Sequence, residues 1–261
     1  MPEGTPTPSF TGKIAVVTGA GSGIGAAISA TLAARGAHVV VADLDPDAAA
    51  RVAGEIGGSS TMIDVTDAAR ADAVAQEVVA EHGRIDIWCS NAGVSSMARF
   101  TEITEAEYDW NLGVNLKGVF LCGQAAARVM IPQGGGVIVN TASMAGKRGF
   151  APYLAHYIAS KFGVVGITQA MAAELAPAGI RVNCVCPGFV YTPMLERELG
   201  WEAELSGVAP DDIKRLWVSE TPMGRLETPE DVARAVAFLA GDDSGFITGE
   251  ALAVNGGAFM D

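Results

Sequence analysis

The hydrophobic pattern alternates short β-branched runs with longer amphipathic stretches. The runs predicted as strands are KIAVVTG (13–19), AHVVVAD (37–43), STMIDV (60–65), RIDIWCSNA (84–92), GVIVNTAS (136–143), IRVNCVCPG (180–188) and EALAVNGG (250–257). Helical periodicity predicts helices at 24–35, 46–56, 67–82, 105–130, 155–175 and 229–240. Near-continuous apolar strands separated by helices mean a parallel sheet, because each parallel crossover lays a helix on one face. The expected fold is α/β: about seven strands, doubly wound, with helices on both faces. No repeat or linker-like shift divides residues 11–261, so a single domain is expected. The long departure is 194–228, where Leu195, Leu199, Trp201, Leu205, Ile213, Leu216 and Trp217 interleave with charges. That spacing predicts one or two short amphipathic helices whose apolar face closes as a lid over a pocket.

Composition narrows the picture. The 261 residues are 49% hydrophobic, enough for one large core. Glycines and charges interrupt every apolar run before the ~18–20 residues that span a bilayer. The opening MPEGTPTPSF (1–10) reads as a flexible tail without the basic start and apolar stretch of a secretory leader. A cytoplasmic protein is expected. The net charge of −13 argues against nucleic acid and anionic membranes as partners, since both reward basic surfaces. Cys89, Cys122, Cys184 and Cys186 have no ligands in register around them, so they read as buried thiols rather than a metal site.

The candidate chemistry begins at TGAGSGIG (18–25), which follows the first strand and opens the first helix. Glycines there allow a tight turn and let backbone N–H groups approach a phosphate at the helix N-terminus. The spacing Gly19, Gly23, Gly25, with Ser22 and Ile24 between, departs from the usual G-x-G-x-x-G. Asp43 ends the second strand, where a carboxylate can accept from adenosine ribose hydroxyls and would repel a 2′-phosphate. No arginine or lysine lies within the glycine turn or directly after Asp43, which favours NAD and makes NADP the lesser cofactor. Asp43 could instead cap a helix or end a strand in solvent. Asp64 could accept the adenine amino group or cap the helix that starts near 67. Further on, YLAHYIASK (153–161) puts Tyr157 and Lys161 on one helical face. An ammonium beside a phenol favours the phenolate and would make Tyr157 a usable acid/base. Tyr153 lies roughly 12 Å from Lys161 along the axis, too far for direct activation.

Taken in order, TGAGSGIG, Asp43, Asp64-Val65, SNAG (90–93), NLKG (115–118), Ser143, YIASK (157–161), PGFVYT (187–192) and the terminal TGEALAVNGG resemble the short-chain dehydrogenase/reductase family over residues 12–257. The resemblance implies a Rossmann-like fold and a nicotinamide cofactor. It implies that Tyr157 exchanges the substrate hydroxyl proton, and that Lys161 lowers the phenol pKa and holds the nicotinamide ribose. Ser143 would hydrogen-bond the substrate oxygen, and Asn115, rather than Asn111, would anchor a relay water. Leu44, Asp64 and Val65 would contact the cofactor, and Asn91, Ala92 and Gly93 would line it at the fourth strand. Pro187, Gly188, Val190 and Thr192 would embrace the nicotinamide. Ser90 and Asn255 depart from the family's usual N-N-A-G and D-G-G.

Substrate contacts are expected from Ser95, Tyr153, Met194, Trp201 and Trp217. Tyr153 reads equally as a packing group against a neighbouring subunit, and His156 reads as pocket wall or surface. Arg99 and Arg148 have no evident partner in the sequence, so an uncharged secondary alcohol or ketone is expected, in the manner of NAD-linked polyol and diol dehydrogenases. The alternatives are an NADPH-dependent 3-oxoacyl-(acyl-carrier-protein) reductase and a catalytically silent NAD-binding sensor or scaffold. The resemblance also implies a homotetramer.

Overall fold

In the computed structural model, which describes residues 10–260, seven parallel strands form one sheet in the order β3-β2-β1-β4-β5-β6-β7. The strands are β1 (Ile14–Thr18), β2 (His38–Asp43), β3 (Ser59–Met62), β4 (Ile87–Ser90), β5 (Gly136–Thr141), β6 (Ile180–Pro187) and β7 (Ala251–Val254). The order reverses between β1 and β4, the switch point where ligands enter open parallel sheets. The single α/β domain expected from the pattern is what the chain adopts.

Period-2 alternation supplies both faces. On β1, Ala15 and Val17 pack with helix α1 (Gly23–Ala34), α2 (Pro46–Ile56) and α9 (Pro229–Ala240), while Val16 joins the opposite core. That second core holds α3 (Ala68–His82), α5 (Gly118–Gln133) and α6 (Ala155–Leu175) around a fully buried Trp88. Buried apolar side chains on both sides explain why the strand runs are almost unbroken in hydrophobicity.

Three boundaries differ from the sequence expectation. The segment 105–130 is not one helix: α4 (Glu105–Leu112) passes through a π-helical turn at Gly113–Lys117 before α5 begins. The third strand stops at Met62, so Asp64 stands two residues beyond it. Phe10, assigned to the tail, is 3% exposed and its N–H donates to Arg35 O at 2.7 Å. The rest of that tail, residues 1–9, lies outside the described residues. The 194–228 excursion forms α7 (Pro193–Ser206) and α8 (Pro210–Ser219). Leu195, Ile213 and Trp217 build a small core of their own with Phe189, Leu199, Ala203 and Leu226.

Candidate active site

One cavity of about 480 Å³ runs along the carboxyl edge of the sheet. Its floor begins at the glycine turn. Gly19 has φ +62, and a Cβ there would lie 2.6 Å from the Ala92 Cα, so the first turn and the β4 edge meet only because position 19 has no side chain. Asn91 ties them together by donating from Nδ2 to the carbonyls of Thr18 and Gly19 at 3.2 and 3.1 Å. Ser22 caps α1 without a side-chain hydrogen bond, and the first turn holds no acidic residue. The leading N–H groups of α1 are therefore free for an anion, which is what a cofactor pyrophosphate needs.

At the purine end, neither of the two aspartates caps a helix. Asp45, not Asp43, caps α2, and Asp67, not Asp64, caps α3. Asp43 accepts Gly21 N–H at 2.8 Å and Asp45 N–H at 3.0 Å, and lines the cavity beside Leu44, Ile63, Asp64 and Val65. Asp64 accepts from the Thr66 N–H and hydroxyl. Tertiary structure also brings a cation that local sequence does not show: Arg51 donates to Gly21 O at 2.8 Å and to Glu55 at 3.0 Å.

At the other end, Ser143, Tyr157 and Lys161 face the cavity together with Ser22, Gly23, Ile24, Asn91, Ala92, Gly93, Pro187, Gly188, Val190 and Thr192. Gly25 lies beneath the turn, where a Cβ would meet Gly19 O at 2.2 Å. Lys161 is 4% exposed and donates from Nζ to Thr141 O at 2.9 Å, with Nζ 5.6 Å from the Tyr157 ring centroid. Burial pushes Lys161 down to about 8, against the upward pull of Cys186, Cys184 and Glu198. Tyr157 is pushed up, by burial first and by the negative charge of Glu198 second, while a hydrogen bond with Ser143 pulls the other way. Desolvation thus opposes the phenolate of Tyr157 as it opposes the ammonium of Lys161.

Asn115 sits in the π-turn and is fully buried. Its Nδ2 donates to Val94 O at 2.9 Å and Ser160 Oγ at 3.1 Å, and its Oδ1 accepts Val94 N–H at 2.8 Å. The side chain is committed to holding the β4 loop against α6. A relay water would have to use main-chain groups of the widened turn, a feature often found at functional sites. Asn111 belongs to a different cluster: it donates to Ser96 Oγ at 3.1 Å, which in turn meets His156 Nε2 at 2.7 Å. His156 is 1% exposed, so it is a buried partner of Ser96 rather than surface.

The residues expected at the substrate end disperse. Met194 lines the cavity. Trp217 stacks on Phe189 at 5.1 Å inside the lid's own core, and neither it nor Trp201 lines the cavity. The apolar face of the excursion is used to hold α7 to α8, so only the first turns of α7 roof the site. Tyr153 also lies off the cavity lining; it is the one non-glycine at positive φ (+68) among the described residues, and its carbonyl accepts Ala98 N–H at 3.1 Å. Ser95 is buried behind the lining. Thr192 caps α7, its Oγ1 accepting Leu195 N–H at 3.3 Å. Arg99 reaches Leu205 O at 3.1 Å, and Arg148 lies over the Phe150 ring. Among the lining residues that the sequence did not single out are Trp110, Val114, Arg197 and Glu198. Glu198 is the most unusual: burial raises its pKa, and it stands near enough to Tyr157 and Lys161 to act on both. Nothing in the periodicity of MLERELG marks one of its carboxylates as inward-facing.

A phosphate-ready helix terminus and a Ser–Tyr–Lys set at the switch point of a doubly wound sheet define an oxidoreductase of the nicotinamide-dependent class. The profile of the family described as enoyl-(acyl carrier protein) reductase matches residues 19–258. A D-threitol dehydrogenase of Mycolicibacterium smegmatis is 42% identical over 251 residues, covering 94% of this chain and 92% of its own. A 3-oxoacyl-(acyl-carrier-protein) reductase of Thermotoga maritima is 38% identical over 251 residues, covering 94% and 97%. A solved structure from Beutenbergia cavernae, described as an NAD(P)-dependent gluconate 5-dehydrogenase with NADP at low occupancy, has a TM-score of 0.86 at 37% identity and covers 97% and 99%. The chain belongs to the short-chain dehydrogenase/reductase family.

Proposed function

We propose that the protein transfers a hydride between NAD and an uncharged secondary alcohol or ketone, of the diol or polyol class, with Tyr157 as proton acceptor and donor. The observation that carries this is the convergence of Ser143, Tyr157 and Lys161 on the cavity that the glycine turn opens. The nicotinamide, when bound, supplies the hydride acceptor or donor. Ser143 orients the substrate oxygen towards the Tyr157 hydroxyl, beside which it lines the cavity. In oxidation Tyr157 first gives up its own proton to solvent and then, as a phenolate beside the Lys161 ammonium, takes the hydroxyl proton; in reduction the phenol gives its proton to the substrate oxygen. Lys161, pinned on Thr141 O, keeps a cation under the phenol ring and offers its remaining N–H donors to the cofactor ribose.

The preference for NAD rests on Asp43, whose carboxylate lines the purine end and would repel a 2′-phosphate. Arg51, the cation at that edge, is occupied by Gly21 O and Glu55. The diol and polyol reading is supported by the likeness to D-threitol dehydrogenase and by Glu198, an acceptor for hydroxyls, in the roof of the cavity.

The test is reduction of NAD or NADP, followed by absorbance, with a panel of diols, polyols and mono-alcohols. Tyr157→Phe is expected to lower turnover by about 10²–10⁴-fold while calorimetry shows cofactor binding retained. Tyr153→Phe, at a side chain off the cavity lining, is expected to leave kcat and KM nearly unchanged; a loss equal to that of Tyr157→Phe would overturn the assignment of Tyr157. Cofactor binding without turnover of any panel member would favour the silent binding protein instead.

A further inference from the structure

We infer that Glu198, backed by Ser95, is the specificity-determining group of the cavity and receives a second hydroxyl of the substrate, a short way along the carbon chain from the one that reacts. The inference deepens the dehydrogenase reading and rests on it. Glu198 projects from the first turns of α7 into the cavity that Ser143 and Tyr157 line. It shares that cavity with Tyr157 and Lys161, and its charge is felt at both. Arg197 and Lys161 draw its pKa down, Glu202 raises it, and burial outweighs them all. No ion pair at contact distance neutralises it among the described residues.

Ser95 is the independent observation. It is 4% exposed, its Oγ has no hydrogen-bond partner of ordinary geometry, and it stands against Glu198 closely enough to lower that carboxyl's pKa. A part-buried carboxylate that lines the cavity without an ion pair can accept from a ligand hydroxyl, while Ser95, off the lining, backs it from behind. The cavity therefore holds surplus acceptor capacity beside the reactive tyrosine. An anionic substrate end would be repelled there, and an alkyl group would leave the carboxylate desolvated and unpaired. A neutral hydroxyl donates one hydrogen bond and brings no opposing charge.

The test compares kcat/KM for 2,3-butanediol and 2-butanol, which share a carbon skeleton, in the wild type, Glu198→Leu, Glu198→Gln and Ser95→Ala, with thermal melts to verify folding. The wild type is expected to favour the diol. Glu198→Leu is expected to lower the diol-to-mono-alcohol ratio by about tenfold or more, with Glu198→Gln retaining more of it because its amide carbonyl still accepts. Ser95→Ala is expected to lower the ratio in the same direction. A group that only latches the lid would depress both substrates together, so an unchanged ratio in Glu198→Leu and Ser95→Ala overturns the inference alone. Preference for 1-amino-2-propanol over the diol, abolished in Glu198→Gln, overturns it in favour of an ammonium receptor. Absence of turnover for every alcohol with either cofactor overturns the dehydrogenase reading and this inference with it.

Discussion

Tyr157 and Lys161 sit four residues apart on one helical face, yet their electrostatics are set by residues far away in sequence. Burial and Glu198 raise the phenol, and burial lowers the ammonium to about 8. Asp43 shows the same division. Its place at a strand end and its bond from the Asp45 N–H are local, but its bond from the Gly21 N–H and the nearby Arg51 come from the docking of the β2 end and α2 on the glycine turn. If Asp43 selects the ribose over its 2′-phosphate, Asp43→Ala raises the NADP-to-NAD ratio of kcat/KM by about tenfold or more, the value of hydrogen bonds to a charged group. Equal ratios in wild type and variant would remove Asp43 from the ribose site. Glu198 was illegible because α7 carries acidic residues on several sides, and only its docking decides which one turns inward.

At the scale of elements, the glycine turn and the lid are coupled to strand ends by buried polar groups. Glu227 follows the lid and accepts the Gly188 N–H at 2.8 Å, fixing a cavity-lining residue, while its Oε1 is buried without a partner. Burial pushes Glu227 from an ordinary 4.5 up to about 8, with Gly188 N–H and Arg225 opposing and Asp231 reinforcing. Between those values the unfolded chain has released a proton that the folded chain keeps. Stability contributed by this group is therefore present below the lower value and lost as pH rises through the upper one. Glu227→Gln keeps an acceptor for Gly188 without the charge, and is expected to raise the melting temperature at pH 8.5 but not at pH 4, at about 2–4 °C per kcal/mol recovered. A melting temperature that shifts equally at both pH values would show that the carboxyl is not the cause. The π-turn at Gly113–Lys117 is the element the pattern missed. One inserted residue leaves the helical period almost intact, so 105–130 reads as continuous although Asn115 depends on the break.

Across the whole molecule, the resemblance to the family leads us to expect a homotetramer built on α5, α6 and β7. Phe120 on α5 and Phe162 on α6 are 42% and 45% exposed, large apolar groups on the faces where a second copy would pack. Sedimentation of the wild type should give four copies, and Phe120→Glu with Phe162→Glu should give a smaller species; a monomeric wild type would remove this assembly. Among the described residues no helix is long and apolar enough to cross a membrane. Sequence alone determined the alternation of buried strands and helices, the glycine turn, and the tyrosine–lysine pair, because each depends on residues within one or two turns of each other. The tertiary structure decided which aspartates cap helices and which face the cavity, that Trp217 serves the lid's core, that His156 is buried on Ser96, and that Glu198 confronts Tyr157. Those outcomes depend on how separate elements dock, and docking is set by the whole core rather than by any local period.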